Sequence, residues 1–176
     1  MRTHSITSRP ARGFTLVELI AVLTLVGILS AVAFPALSAL DDARDAALIN
    51  EVERRLWVAR TSAMSTGLPT GVRFDIPGND ATTWRLREDA GGIERVIGAG
   101  GDSAAPLGSL FRGGGIASFA PIEPGGDATA WFDYMGRPHA RSADGTTRIE
   151  WTDDAVVTML DERRITIRRL TGSIER

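Results

Sequence analysis

Cysteine and lysine are both absent from this chain of 176 residues. Without cysteine there is no intramolecular disulfide, no thiolate metal site and no lipoprotein anchor. Without lysine, arginine carries all of the basic charge. Histidine is scarce as well: His4 lies near the N-terminus and His139 is the only other one. No Gly-x-Ser-x-Gly elbow is present, and the clusters Gly98–Gly101 and Gly113–Gly115 lack the Gly-Lys-Ser/Thr that completes a phosphate loop. The stretch Gly98–Gly115 reads as a variable surface loop. The carboxylate pairs Asp41-Asp42, Asp153-Asp154 and Asp161-Glu162 have no EF-hand spacing and read as solvated turns. His139 stands beside Gly136-Arg137-Pro138, a turn signal, and is expected to be an exposed, inert loop histidine. With no acid–base partner set in view, the composition argues against an enzyme and implies no cofactor and no metal.

What the chain does have is one long apolar run. Gly13-Phe14-Thr15-Leu16-Val17-Glu18-Leu19 opens it, and from Leu19 to Leu40 there are 22 residues without a charge. At 1.5 Å per residue that is roughly 33 Å of helix, enough to cross a hydrocarbon core of roughly 30 Å. Glu18 lies near the start of this run, where an acid costs about 2.5–3.5 kcal/mol at mid-bilayer and needs a reason to be there. Ahead of it stands a polar leader containing Arg2, Arg9 and Arg12. Pro35 lacks an N–H and crowds the carbonyl of Ala31, which predicts a kink or local unwinding. Gly27 and Ala31 form a small-xxx-small pair suited to close helix contact.

Several readings of this segment are open on the residues alone. An ordinary secretory signal would be cut after Ala31-Val32-Ala33, but the run is longer than the usual 7–15 residues and would contain Glu18. A plain single-pass anchor shows no preference for Gly13, Phe14 or Glu18, and in it Glu18 would simply snorkel to the headgroups. The third reading is a basic leader cut between Gly13 and Phe14, with the apolar helix retained.

Gly-Phe-Thr-Leu-x-Glu at the border of a basic leader and an apolar run resembles the type IV prepilin signal. That resemblance implies that a prepilin peptidase and methyltransferase cuts after Gly13 and methylates the new amino terminus of Phe14. It also implies that Glu18 pairs with the terminal amine of a neighbouring subunit and so sets the register of a polymer. A carboxylate unsatisfied alone and satisfied in an assembly favours one register. Cleavage would remove the three leader arginines and take the formal net charge from −2 to −5. The leader's charges favour a cytoplasmic N-terminus, with the rest of the chain beyond Leu40 on the other side.

After Leu40 the character changes to Asp41, Asp42, Arg44 and Asp45, yet the helix is expected to continue. Leu48, Val52, Leu56, Ala59 and Ala63 fall on one helical face, and Gly67 and Pro69 end the pattern. Short alternating segments follow at Val72–Ile76, Thr83–Arg87, Ile93–Ile97, Ile116–Phe119, Ala130–Tyr134, Thr147–Trp151, Val156–Leu160 and Arg164–Leu170. The expected fold is α+β: a long N-terminal helix packed against small antiparallel sheets. The expected organisation is a leader at 1–13, a transmembrane and polymerisation helix at 14–40, an amphipathic helix at 41–66 and a β head at 67–176.

Leu56-x-x-Ala59-Arg60-x-x-Ala63, then Gly67-x-Pro69 and the Val72–Asp75 strand, look like the start of the GspH/FimT domain. Phe132-x-x-x-Gly136-Arg137-Pro138, Ile165-x-Ile167 and Thr171-Gly172 look like its closing part. The chain thus resembles the type IV pilin-like minor pseudopilins of the GspH/FimT family. The resemblance implies a non-enzymatic subunit of a type II secretion pseudopilus, held in the inner membrane with a periplasmic head. Its partners would be the prepilin peptidase, other major and minor pseudopilins and the inner-membrane assembly platform. The alternative within the family is a minor type IV pilin that takes up DNA through C-terminal arginines. Arg163, Arg164, Arg168, Arg169 and Arg176 leave the last 16 residues at +2 after Asp161, Glu162 and Glu175 are subtracted. Arg164, Arg168 and Arg169 would be the phosphate contacts. A solvated strand face is the competing explanation.

Overall fold

The computed structural model describes residues 15–87, 92–96, 106–111 and 113–176, with the backbone alone at 32 and 35–37. The chain divides into two compact units, Met1–Leu40 and Asp41–Arg176. Helix α1 runs through Leu16–Thr66. Its N-terminus is capped by the Thr15 hydroxyl, which accepts a hydrogen bond from the Glu18 N–H at 3.3 Å. Helical backbone is continuous past position 35. It ends at Gly67, whose φ of +74° suits a left-handed stop and whose N–H bonds the Ala63 carbonyl at 3.0 Å.

In the second unit the helical stripe forms the floor of the core. Leu48, Val52, Leu56, Ala59 and Ala63 are all buried, as the spacing predicts, and Ile49 joins them. Against this stripe lie a six-stranded sheet, in the order β3-β2-β1-β5-β6-β7, and a four-stranded sheet, in the order β10-β9-β8-β4. The larger contains β1 (Thr70–Asp75), β2 (Asp80–Leu86), β3 (Ile93–Arg95), β5 (Thr129–Phe132), β6 (Pro138–Arg141) and β7 (Arg148–Ile149). The smaller contains β4 (Ile116–Ala120), β8 (Ala155–Met159), β9 (Arg164–Ile167) and β10 (Ile174–Glu175). A single turn of helix, α2, occupies Leu107–Leu110. All strand pairs are antiparallel. The architecture is therefore the expected α+β, a long helix packed on antiparallel sheets.

The sheets meet through aromatic side chains. Phe74 of β1 stacks on Phe119 of β4 with centroids 5.0 Å apart, and Phe119 tilts against Trp151 at 6.2 Å. Asn79, in the turn between β1 and β2, ties the same junction with polar bonds. Its amide donates to the Gly114 carbonyl at 2.9 Å and its side-chain oxygen accepts from the Ile116 N–H at 3.0 Å. Arg55 fixes the helix to β2: Nε meets Glu51 at 2.9 Å, and Nη1 donates to the Ala81 carbonyl.

Two strands were not foreseen, β6 and β10. Gly136-Arg137-Pro138 contains a turn, but the turn closes at Gly136, whose N–H bonds the Asp133 carbonyl at 2.8 Å. Pro138 then begins a strand paired with Phe132. A proline is tolerated at a strand's first residue, where its missing N–H breaks no interior ladder. Strand β10 has only two residues, paired with Ile167 and Thr166, and Ile174 adds its side chain to the core. Thr147–Trp151 shortens to β7, and Arg164–Leu170 shortens to β9. Ile97 and half of Gly98–Gly115, positions 98–105 and 112, lie outside the described residues.

Candidate functional site

The N-terminal segment holds most of the residues singled out above. Gly13 and Phe14 lie outside the described residues. Glu18 occupies the third helical position after the Thr15 cap, where the positive end of the helix dipole favours a carboxylate. From Leu16 to Leu29 every leucine, isoleucine and valine is exposed, Leu16 at 75% and Leu29 at 61%. A helix apolar on all sides, with its apolar side chains bare, requires lipid or neighbouring helices to cover it. Among the described residues no helix is long and apolar enough to cross a membrane. The expectation of a span at 14–40 rests on the uncharged Leu19–Leu40 run of the sequence. The Pro35 side chain is outside the described residues.

At the other end of α1, two turns of the head converge on Arg60. Its Nε donates to the Gly136 carbonyl at 3.2 Å, and one terminal nitrogen donates to the Thr171 carbonyl at 3.0 Å. The guanidinium also lies 5.3 Å from the centre of the Trp57 ring. Gly136 has a φ of +74°, and a Cβ there would come 2.9 Å from the Met64 sulfur. Gly172, with φ of +66°, packs against the Gly136 carbonyl. One arginine thus clasps the Asp133–Gly136 turn and the turn after β9 onto the helix. Around the clasp Trp57, Met64, Tyr134, Met135 and Leu170 are exposed. The sequence motif contained Arg60, Gly136, Thr171 and Gly172, but nothing in their spacing showed that they touch.

His139 corrects an expectation. It is not an exposed loop residue but a fully buried member of β6. It pairs across the sheet with Trp131, itself fully buried and on the side of the sheet facing away from the helix core. His139 Nε2 accepts a hydrogen bond from Arg141 Nε at 3.1 Å. Burial, with help from the charges of Arg148 and Arg141, pushes its pKa down to about 4. Asp133 lies nearby. Burial alone would raise its pKa, but the N–H groups of Arg137 and Met135 and the Arg148 guanidinium outweigh that and hold it below the usual range. The signal for this cluster was the alternation His139, Arg141 after Trp131, hidden by the proline and glycine beside it.

Of the C-terminal arginines, Arg163, Arg168 and Arg176 are held by carboxylates. Arg168 is gripped by Asp154 at 2.9 Å and Glu175 at 2.8 Å. Arg163 pairs with Asp161, and Arg176 Nε meets Glu53 at 2.7 Å. Ile165 and Ile167 are buried and Arg164 is exposed, as the alternation of β9 predicts. Arg169 donates its backbone N–H to Asp154 at 2.7 Å. Carboxylates interleaved with these arginines reduce the local attraction for phosphate.

A long N-terminal helix whose second half is covered by antiparallel sheets is a pilin-like fold. Residues 8–34 match the prokaryotic N-terminal methylation motif. The motif implies processing by a prepilin peptidase and anchoring in the inner membrane through the N-terminal segment. No curated protein sequence matches the chain. Among solved structures, the minor pseudopilin EpsH of the type II secretion system of Vibrio cholerae shares the fold. One crystal structure of it aligns with a TM-score of 0.51 and 16% identity, covering 77% of this chain and 94% of that one. A second structure of the same protein aligns at 0.48 and 16%, covering 72% and 90%.

Proposed function

We propose that this chain is a structural minor pseudopilin of a type II secretion system, assembled into or capping a periplasmic pseudopilus. The observation that carries the reading is the placement of the methylation motif, residues 8–34, at the start of the helix that bears a pilin-like head. In this reading residues 1–13 are the leader, 14–40 anchor and polymerise, and 41–66 carry the β head of 67–176 in the periplasm. Gly13 offers the peptidase an unhindered bond, Phe14 becomes the methylated amino terminus, and Pro35 bends the stem. Glu18 pairs with a neighbour's amine, so its desolvation is offset only in the assembled state. Other major and minor pseudopilins and the inner-membrane platform are the partners.

Mass spectrometry of the protein isolated from cells with the matching peptidase tests the reading directly. The expected product begins at N-methylated Phe14. A mature chain beginning at Phe34, or one that keeps the whole leader, would overturn it.

A further inference from the structure

The face of the six-stranded sheet that looks away from the helix carries side chains of an unusual kind. Register places Arg73, Trp84, Arg95, Trp131, His139, Arg141 and Arg148 on it. Trp131 and His139 are nonetheless fully buried, because the connection between β6 and β7, residues 142–147, lies over this face. Gly145 sits against Ile93 and Leu86 of the opposite edge, with φ of +77°, so no side chain fits there. Arg73 reaches the Ala143 carbonyl at 3.4 Å. Arg141 makes the central tie: its Nη1 donates to the Gly145 carbonyl at 2.6 Å while its Nε donates to His139 Nε2.

We propose that residues 142–147 are an acid-released strap, held over the outer face of the sheet by Arg141 only while His139 is neutral. The geometry dictates the direction. Nε2 can accept from Arg141 only without a proton; protonated, it presents an N–H to an N–H. Nδ1 is buried without a well-formed hydrogen bond, and the Arg137 backbone and Asp133, which favour a proton on the ring, are outweighed by burial and the two arginines. Three cationic groups would then share the site, with His139 and Arg141 on β6 and Arg148 on β7. Against them stand Asp133, in the turn after β5, and Glu150, which binds Arg148 at 2.7 Å. Asp133 already accepts two N–H bonds and lies 3.3 Å from Arg148, so it has little capacity for a further cation. Swinging Arg141 and its strap outward relieves the repulsion and hydrates the imidazole.

Release would remove one wall of a cavity of about 640 Å³ whose lining includes Arg73, Trp84, Arg95, Asp127 and Ala143. The low pKa of His139 in the closed form agrees with this coupling. The contribution of neutral His139 to the closed strap is full above about pH 6.5 and is lost as pH falls towards 4. Between about pH 7.5 and about pH 5 the closed-to-open ratio should fall about 30-fold.

Hydrogen exchange of the full chain in detergent micelles reads this ratio at the Trp131 indole N–H, which is buried and has no hydrogen-bond partner, so that its protection comes from the strap that covers it. After correction for intrinsic exchange, its protection should fall about 30-fold over that interval while β1 and β5 amides keep theirs. His139→Gln supplies an acceptor that does not titrate and should keep the strap protected at about pH 5. Gly145→Ala should expose it at both pH values. Equal acid-induced loss in His139→Gln, or no loss in the wild type, would overturn the proposal. If His139→Gln fails to fold, the wild-type imidazole can be followed by NMR. Its titration must coincide with strap exposure, and protonation without exposure would overturn the proposal equally.

Discussion

Arg60 donates to the carbonyl of Gly136 at 3.2 Å across 76 residues of sequence. The same guanidinium holds the Thr171 carbonyl, 111 residues away. Both acceptors are turn carbonyls, so a single helical side chain sets where two loops of the head lie.

Replacing Arg60 by alanine should therefore destabilise the head by about 1–3 kcal/mol, the range for hydrogen bonds from a charged donor. Urea unfolding would measure it. Hydrogen exchange should show loosening confined to 133–137 and 168–173, and uniform loosening would contradict the clasp.

Gly71 allows β1 to pass under Trp131. A Cβ there would lie 2.7 Å from the Ala130 carbonyl oxygen and 2.9 Å from Trp131 Cα, both backbone atoms of the paired strand. Gly71→Ala should lower stability by about 1–3 kcal/mol through overpacking. Gly27→Ala, which meets nothing within 4 Å, is the control and should leave the head's melting unchanged.

Asp133 should contribute stability that depends on its charge. Its folded pKa is depressed, so the contribution is present above about pH 4 and is lost as pH falls through the lower folded value. Asp133→Asn should weaken the head at neutral pH by about 1–3 kcal/mol and flatten the acid limb of its stability curve. An unchanged acid limb would show that the carboxylate is not what titrates there.

Glu18→Ala should leave cleavage after Gly13 intact and reduce recruitment into the assembly, whereas Gly13→Leu should block processing. Cross-linking to partner pseudopilins, made specific by engineered cysteines in a chain that has none of its own, separates the two. Wild-type cross-linking by Glu18→Ala would remove Glu18 as the register charge.

A fragment beginning at Asp41 should fold without the apolar segment, since the buried helical stripe starts at Leu48 and the sheets cover it. Circular dichroism should show mixed helix and strand with one cooperative melt. An unfolded or wholly helical spectrum would refute autonomy of the head.

Patterns that repeat along the chain were legible without coordinates. The uncharged run, the helical stripe from Leu48 to Ala63 and most strands depend on neighbours within a few residues, where periodicity and turn chemistry operate. Contacts between distant segments were not legible. Whether His139 is bare or buried depends on a strap that crosses to Ile93, and whether Arg168 is free for phosphate depends on where Asp154 and Glu175 come to rest. Pro138 begins a strand because Phe132 offers an edge, and Arg60 is a clasp because two turns end beside it. Local periodicity decides which backbone forms; only the packed structure decides which charges meet, because burial and pairing are properties of the space between elements and not of any one of them.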